Sequence, residues 1–429
     1  MLTSWTALRF LLIGGFMLAF GNYAWTVMQL LTDQALILRD VMGPYAAGRA
    51  LIFNQNIYTT FIPEQNGVLA PYQYPPLFAL LFLPLSHQSL YTASKIWVIA
   101  NQIFFAVALW LSVRIVHYRF NRWQLILIAA LALGAYPVYT NLKLGNVSML
   151  LLMLIAAAYW LWQRNRPRWA ALCLAVAICI KVVPAAGVVY LLWKREYRIA
   201  AYTILFTLLL LILPDVLLQR DLLASYLGSL TVILHRWHFS LAWFDNQSLR
   251  GMLSRFSILL SNTIHPWAAL VSTVLSLTLA GLTLYLAPRS RGPNENATVL
   301  EYGLLVMLFP LASPNSWTHY YVWGLLLIPI LVSLLSERLK NVPNFSSYGL
   351  IGMALVGFVL LSQPFRIPRL IGYNVEAETA SLSVVGGLLQ SLCVYGAILI
   401  TLVVVKLLWE ARQPEMAAEP ISVESRVKA

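Results

Sequence analysis

The sequence predicts an all-α, polytopic membrane protein, and three observations predict it. Hydrophobic residues make up 60% of the 429-residue chain and charged residues only 10%, against about a quarter charged in soluble domains. An ordinary core cannot hide that much apolar side chain. The apolar residues fall into long runs, about ten of them when roughly 20 residues are needed to cross the hydrocarbon. The basic residues behind the formal net charge of +13 gather in the short connections between those runs. That pattern orients membrane helices and meets anionic headgroups; it is not the footprint of a nucleic-acid binder.

The expected spans are 8–31, 90–114, 122–141, 146–163, 199–219, 266–288, 297–312, 318–336, 347–364 and 383–407. The segment Met1–Arg9 is short and weakly charged, and the apolar run after it is too long for a signal peptide, so it reads as a retained first span. Arg114, Arg119 and Arg122 form one basic loop; Arg164, Arg166 and Arg168 a second; Lys194, Arg195 and Arg198 a third. Arg289 with Arg291 and Arg338 with Lys340 supply two more, and the tail carries Arg426 and Lys428. Placing all of these in the cytoplasm puts both termini there too. Residues 169–193 then have two cytoplasmic ends and are expected to enter and return, with the interruption at Lys181-Val182-Val183-Pro184, where Pro184 removes a helical donor and disfavours helix at Val183. Two extracytoplasmic loops, 32–89 and 220–265, are long and rich in Tyr and Trp, as interfacial segments are. In the first, Asp40 is expected to cap a short helix running to Phe53, Asn66-Gly67 to turn, and Pro75-Pro76 to open a short apolar helix ending near Leu85. Residues 1–411 thus form one transmembrane domain, and the polar tail 412–429 is expected to be disordered. Cys173, Cys179 and Cys393 all lie in apolar segments without metal-type spacing, so neither a disulfide nor a metal site is expected.

Polar groups at membrane depth are costly, which makes function their default reading. Asp40 follows the first span directly, where an enzyme acting on lipid-borne substrates would place a base; Asp33 and Asp245 are the competing carboxylates. Gly145-Asn146 opens one span, Asn246-Gln247-Ser248-Leu249 lies in the second long loop, and Ser313-Pro314-Asn315-Ser316-Trp317-Thr318-His319 separates two spans. Arg236, Arg250, Arg255, Arg366 and Arg369 fall on the outer side against the orientation rule; a guanidinium there suits headgroup contact or a substrate phosphate.

Read together, Asp40 with Tyr45-Ala46-Ala47, Tyr72-Gln73-Tyr74-Pro75-Pro76-Leu77, Gly145-Asn146, Lys181-Val182-Val183-Pro184, Asn246-Gln247-Ser248-Leu249 and the Ser313–His319 run resemble glycosyltransferase family 87, the polyprenyl-phosphate-mannose-dependent mannosyltransferases of the GT-C superfamily. The resemblance runs in order from about residue 36 to 325. Val41 replaces the Phe that usually follows the aspartate, Asn54-Gln55-Asn56-Ile57-Tyr58 replaces a Gly-x-Asn-Pro-Tyr pattern, and Tyr320 stands where a second histidine is usual. The resemblance implies a GT-C fold in a bacterial cytoplasmic membrane, with the active site facing outward. It implies Asp40 as base in an inverting transfer of a mannosyl or related hexosyl group from a polyprenyl-phosphate sugar to a lipid-linked or glycolipid acceptor, with no metal or other cofactor required. It also implies that His319 and Lys181 hold the donor phosphate, while Tyr74, Asn146, Ser316, Trp317, Asn246, Gln247 and Arg250 line the substrate site. A transferase for another lipid-phosphate sugar is the alternative within that class. A lipid or sugar transporter is the alternative outside it, although the two halves show no matching interruptions. A structural scaffold would not need Asp40, Lys181 and His319 on one face.

Overall fold

The computed structural model describes residues 2–59, 72–239, 241–261, 263–289, 295–362, 366–370, 372 and 383–417. The helices are, in order, α1 Leu2–Thr32, α2 Arg39–Ile52, α3 Pro76–Ser86, α4 Leu90–Arg114, α5 Arg122–Gly134, α6 Tyr136–Leu144, α7 Ser148–Gln163, α8 Pro167–Ile180, α9 Ala186–Trp193 and α10 Tyr197–Leu218. They continue as α11 Leu222–Phe239, α12 Leu249–Ser261, α13 Pro266–Leu286, α14 Glu295–Ala312, α15 Leu327–Asn341, α16 Phe345–Ser362, α17 Arg366–Leu370, α18 Val384–Leu389 and α19 Leu392–Ala417. Short 3-10 segments, Val183–Ala185 and Thr318–Leu326, lead into α9 and α15. Among the described residues the only β pairing is an isolated antiparallel bridge between Asn246 and Trp317. The described residues thus form an all-α fold, as the apolar runs require.

Seven of the described helices are long and apolar enough to cross a membrane, or eight if the pair α5–α6, bent by 48°, is one span. That is fewer than the ten runs read from the sequence. The run 122–141 breaks at Ala135, just ahead of Pro137 in the first turn of α6. Helices α7 and α14 are shorter than a full crossing, and the last run begins only at Leu392, after the separate turn of α18. Large apolar side chains cover the outward faces of the long helices: Leu208, Leu209 and Ile212 on α10, and Leu270, Val274 and Leu277 on α13, are all exposed, as lipid-facing surface should be. Helices α16 and α19 meet through glycines. A Cβ on Gly396 would lie 2.5 Å from the Gly357 carbonyl oxygen, so the two backbones touch without side chains between them.

The loops predicted to share a side do converge at one end of the bundle. Gln163 Nε2 donates to the Ile115 carbonyl (2.9 Å), the His117 amide donates to Asn296 Oδ1 (3.0 Å), and Trp193 Nε1 donates to the Ala287 carbonyl (2.8 Å). Lys194 and Glu301 form a buried ion pair there (2.9 Å), with Tyr190 donating to the same carboxylate. Arg9 lies over Trp123, Arg412 over Tyr285, and Arg338 pairs with Glu410, so both ends of the described chain belong to this pole. Segment 167–193 is a hairpin. A Cβ on Gly187 would sit 3.4 Å from Leu174 Cδ2, whereas 13 residues of continuous helix would separate them by about 20 Å. Trp162 also meets Tyr190, so the entry and exit of the hairpin are neighbours. Its tip carries Lys181, in extended backbone after α8.

Local chemistry explains the smaller elements. Helix α3 opens with Pro75 as its N-cap and Pro76 in the first turn, as read from the sequence. Helix α2 also forms, but Asp40 is not its cap: Leu38 takes that position, and Asp40 sits inside the first turn, where a carboxylate meets the favourable end of the helix dipole. Helix α19 continues to Ala417, past the boundary expected at Ala411. The Asn66-Gly67 turn and residues 418–429 lie outside the described residues.

Candidate active site

The opposite pole from the basic loops gathers Asp40, Asn146, Lys181 and His319. Each arrives by a different device. Gly145 ends α6 in the left-handed conformation (φ 71°), and a Cβ there would meet Leu38 and Val41 at 2.8–2.9 Å. Glycine therefore lets the α6–α7 junction press against the start of α2, and the Trp97 indole fixes the Gly145 carbonyl (2.7 Å). The next residue, Asn146, accepts from the Ser148 amide (3.0 Å) and hydroxyl (2.7 Å) through Oδ1, which leaves Nδ2 to donate to Asp40 Oδ2 at 2.6 Å. Gly145→Ala is accordingly expected to cost about 1–3 kcal/mol of stability from the backbone strain and the clash. It should also lower activity by about tenfold or more by separating Asn146 from Asp40, read as melting temperature and turnover on the same preparation. Activity within twofold of wild type would show that the junction does not set the carboxylate.

His319 comes from the 3-10 segment before α15. Its Nε2 lies 4.0 Å from Asp40 Oδ2, and neither ring nitrogen has a hydrogen-bond partner among the described residues. Lys181 comes from the hairpin tip. Its ammonium stands 3.3 Å from the centroid of the Tyr320 ring and 5.9 Å from that of Trp323, with no hydrogen-bond partner in the described structure. Tyr320 and Trp323 stack in parallel (5.6 Å, 13°), and Trp323 Nε1 anchors the stack to the Ser148 carbonyl. The residue that departs from the family's second histidine thus supplies the face against which Lys181 rests. Two unpartnered nitrogen centres beside one carboxylate are costly in a protein interior; they leave donors available to an incoming anion.

The Asp40 side chain keeps 24% of its surface accessible, so the carboxylate is not sealed inside the protein. Burial pushes its carboxyl above the usual aspartate range, opposed by the Asn146 hydrogen bond and by the charges of Lys181 and Arg39. Asp245 shares this field. Burial pushes it up to about 6, against its hydrogen bonds from Thr318 and with a further upward push from Asp40. Asp33, the other competing carboxylate, is exposed and accepts from the Ala35 amide in a turn.

The remaining sequence candidates divide. Tyr74 lies within the field of Asp40, in a chain of rings through Tyr72 and Phe78, and the Tyr58 hydroxyl bonds its carbonyl (3.0 Å). Asn246 and Gln247 are fully buried and engaged within the protein. The Asn246 amide donates to the Leu241 and Pro314 carbonyls and accepts from Ser316 N (3.0 Å) and the Ser248 hydroxyl (2.9 Å). Gln247 Nε2 donates to the Phe244 and Gln390 carbonyls, and its backbone amide donates to the Ser316 carbonyl (2.6 Å). These residues stitch the 241–248 loop to the 314–318 segment and make no bond to Asp40. Ser316 is buried with its hydroxyl unpartnered among the described residues, and half-buried Trp317 precedes the 3-10 turn. Arg250 is half-buried in the first turn of α12, without a hydrogen-bond or ion-pair partner among the described residues. Arg255 is not a phosphate ligand: it is wholly buried and bonded inside the fold. Sequence spacing pointed at the motifs, but the division of labour between Asp245, Thr318 and Arg255 needed the loop-to-loop contacts.

The chain as a whole is similar to known glycosyltransferases. The model of "Glycosyltransferase family 87" matches residues 72–314. A polyprenol-phosphate-mannose-dependent alpha-(1-2)-phosphatidylinositol mannoside mannosyltransferase of Mycolicibacterium smegmatis is 25% identical over 387 residues, covering 77% of this chain and 80% of its own. A polyprenol-phosphate-mannose-dependent alpha-(1-2)-phosphatidylinositol pentamannoside mannosyltransferase of Mycobacterium tuberculosis is 27% identical over 298 residues, covering 67% and 64%. Among solved structures, apo ArnT from Cupriavidus metallidurans aligns over 98% of this chain and 81% of its own, at 15% identity and a TM-score of 0.40.

Proposed function

The chain belongs to glycosyltransferase family 87, and on that premise we propose that this glycosyltransferase moves a mannosyl group from a polyprenyl-phosphate sugar to a glycolipid or other lipid-linked acceptor. The proposed architecture is a single GT-C transmembrane domain that includes the whole of α19, lying in a bacterial cytoplasmic membrane with its basic-loop pole in the cytoplasm and the Asp40 pole outside. The observation that carries the reading is the meeting of an open carboxylate with unpartnered cationic and imidazole nitrogens: Asp40 with His319 at 4.0 Å and Lys181 in the same field.

Each group has a task that its environment suits. The acceptor hydroxyl is a poor nucleophile, and the Asp40 carboxylate takes its proton as the new glycosidic bond forms. The bond from the anomeric carbon to the phosphate oxygen breaks on the opposite face, so the configuration inverts. The departing polyprenyl phosphate is already a stable anion and needs electrostatic holding, which Lys181 and His319 supply without reorganising. Tyr74 offers a ring face to the sugar, and Ser316, Trp317 and Arg250 complete the approach. Asn146 orients the base, and Asn246 and Gln247 fix the loops around it. The names of the relatives support mannose as the donor sugar and a phosphoinositide glycolipid as the acceptor class.

The test is reconstitution in proteoliposomes with defined polyprenyl-phosphate mannose, glucose and pentose donors and a panel of glycolipid acceptors. Mannose transfer to a glycolipid, with the product anomer opposite to that of the donor, is the expected result. Transfer of glucose or pentose alone would move the donor assignment, and retention of configuration would remove Asp40 from the role of base.

A further inference from the structure

Among the described residues, Arg255 is the one wholly buried guanidinium, and none of their carboxylates pairs with it at ion-pair distance. It makes four hydrogen bonds, all to neutral groups. Nη1 donates to the carbonyls of Trp243 and Asn246 (both 2.9 Å), and Nε and Nη2 donate to the Ser391 hydroxyl (3.1 and 2.9 Å). Ser391 is itself tied to the Gly387 carbonyl at the end of α18. Burying a cation on neutral acceptors is expensive, and an apolar side chain of similar volume would pack there at lower cost. The geometry shows what the charge holds. Trp243 and Asn246 are the two ends of a turn closed by the Asn246 amide on the Trp243 carbonyl (2.9 Å), and Asp245 lies inside that turn. Asp245 Oδ1 accepts from the Thr318 hydroxyl, and Thr318 is the residue before His319. Asn246 in turn holds the Ser316 amide. One guanidinium therefore clamps, through the 243–246 turn, the segment that presents His319 to Asp40.

We propose that Arg255 is a positioning residue for transfer: through the Trp243–Asn246 turn and the Asp245–Thr318 hydrogen bond, it sets where His319 stands relative to Asp40. This rests on the reading of Asp40 and His319 as the reacting centre and adds to it a residue that touches no substrate. It also replaces the role of outer-face phosphate ligand that the sequence pattern suggested for Arg255.

The test is a double-mutant cycle on the full-length enzyme in lipid nanodiscs, assayed with the lipid-phosphate sugar that the donor panel identifies. Arg255→Met is expected to lower kcat per folded molecule by about 10- to 100-fold, with both KM values within about threefold. Arg255→Lys, which can still reach one of the turn carbonyls, should recover about a third or more of that loss on the logarithmic scale. Thr318→Val cuts the same path farther along. The double variant Arg255→Met/Thr318→Val should therefore lie within about twofold of the worse single variant. Losses that multiply in the double variant, a loss confined to KM, or no gain from lysine would overturn the proposal. If Arg255→Met does not fold, Ser391→Ala removes the far anchor and runs the same cycle against Thr318→Val. The site reading fails separately: Asp40→Asn near wild-type activity would overturn it, while a non-additive cycle would still tie Arg255 to Thr318.

Discussion

Asp40→Asn is expected to lower kcat by about 10³-fold, within the range by which general bases accelerate proton transfer, with the fold and donor binding intact. The amide is isosteric, and its oxygen can still accept the 2.6 Å hydrogen bond from Asn146. What it cannot do is take a proton. Removing a desolvated carboxylate that shares its field with Asp245 also relieves an unfavourable charge, so the melting temperature should stay level or rise. A structural aspartate would show the reverse, a lower melting temperature with residual activity. A pH profile follows from the same carboxylate. The carboxylate must be deprotonated to act, and burial raises its pKa, so wild-type kcat/KM should begin to fall on the acid side at a higher pH than an ordinary aspartate would give. Asn146 stabilises the ionised form, so Asn146→Ala should move that acid limb to still higher pH. An unmoved limb, or Asp40→Asn with activity near wild type, would send the search for the base to Asp245.

The hydrophobic runs made the helical membrane fold legible because each residue of a lipid-facing helix reports on the same solvent. The loop charges made the pole of each connection legible, and with it the return of 169–193, which neither its length nor its proline alone could settle. Span counting was less secure. Run length does not show where a helix breaks inside protein, and the run 122–141 breaks at Ala135, ahead of Pro137. Asp40, Lys181 and His319 were legible as chemistry because ionisable groups at such depth are expensive. The roles of Asn246 and Gln247 were not, because an amide bonded to backbone reads in a sequence like an amide that faces a ligand. Arg255 misled for a related reason: an arginine on the outer side counts toward charge whether it meets water, phosphate or only carbonyl oxygens.

Lys181→Met is expected to lower kcat/KM by about 10²- to 10³-fold, the cost of losing one preorganised donor from a charge-stabilising site, and to leave the protein as stable as before or more so. In the described structure the ammonium bonds to no carboxylate or carbonyl oxygen and rests on the Tyr320 ring at 3.3 Å. A cation–π contact is worth about 0.5–2 kcal/mol, and even with the attraction of the Asp40 carboxylate it falls short of the several kcal/mol needed to strip an ammonium of water. The fold therefore carries an incompletely compensated cation at the hairpin tip, and methionine, of similar length and without charge, removes that cost. Stability and activity should move in opposite directions, the signature of a group retained for what it binds. The loss should appear in both donor KM and kcat, because the phosphate is an anion before the bond breaks and a more concentrated one afterwards. Lys181→Arg tests geometry separately from charge. The planar guanidinium restores the charge but occupies the space above Tyr320 differently, and about a tenth or less of wild-type kcat/KM is expected from it. The measurements are initial rates against donor concentration and thermal unfolding on the same purified variants. Lys181→Met with kcat/KM within threefold of wild type, or with a melting temperature several degrees lower, would make Lys181 a packing element of the hairpin and leave the leaving phosphate to His319 alone.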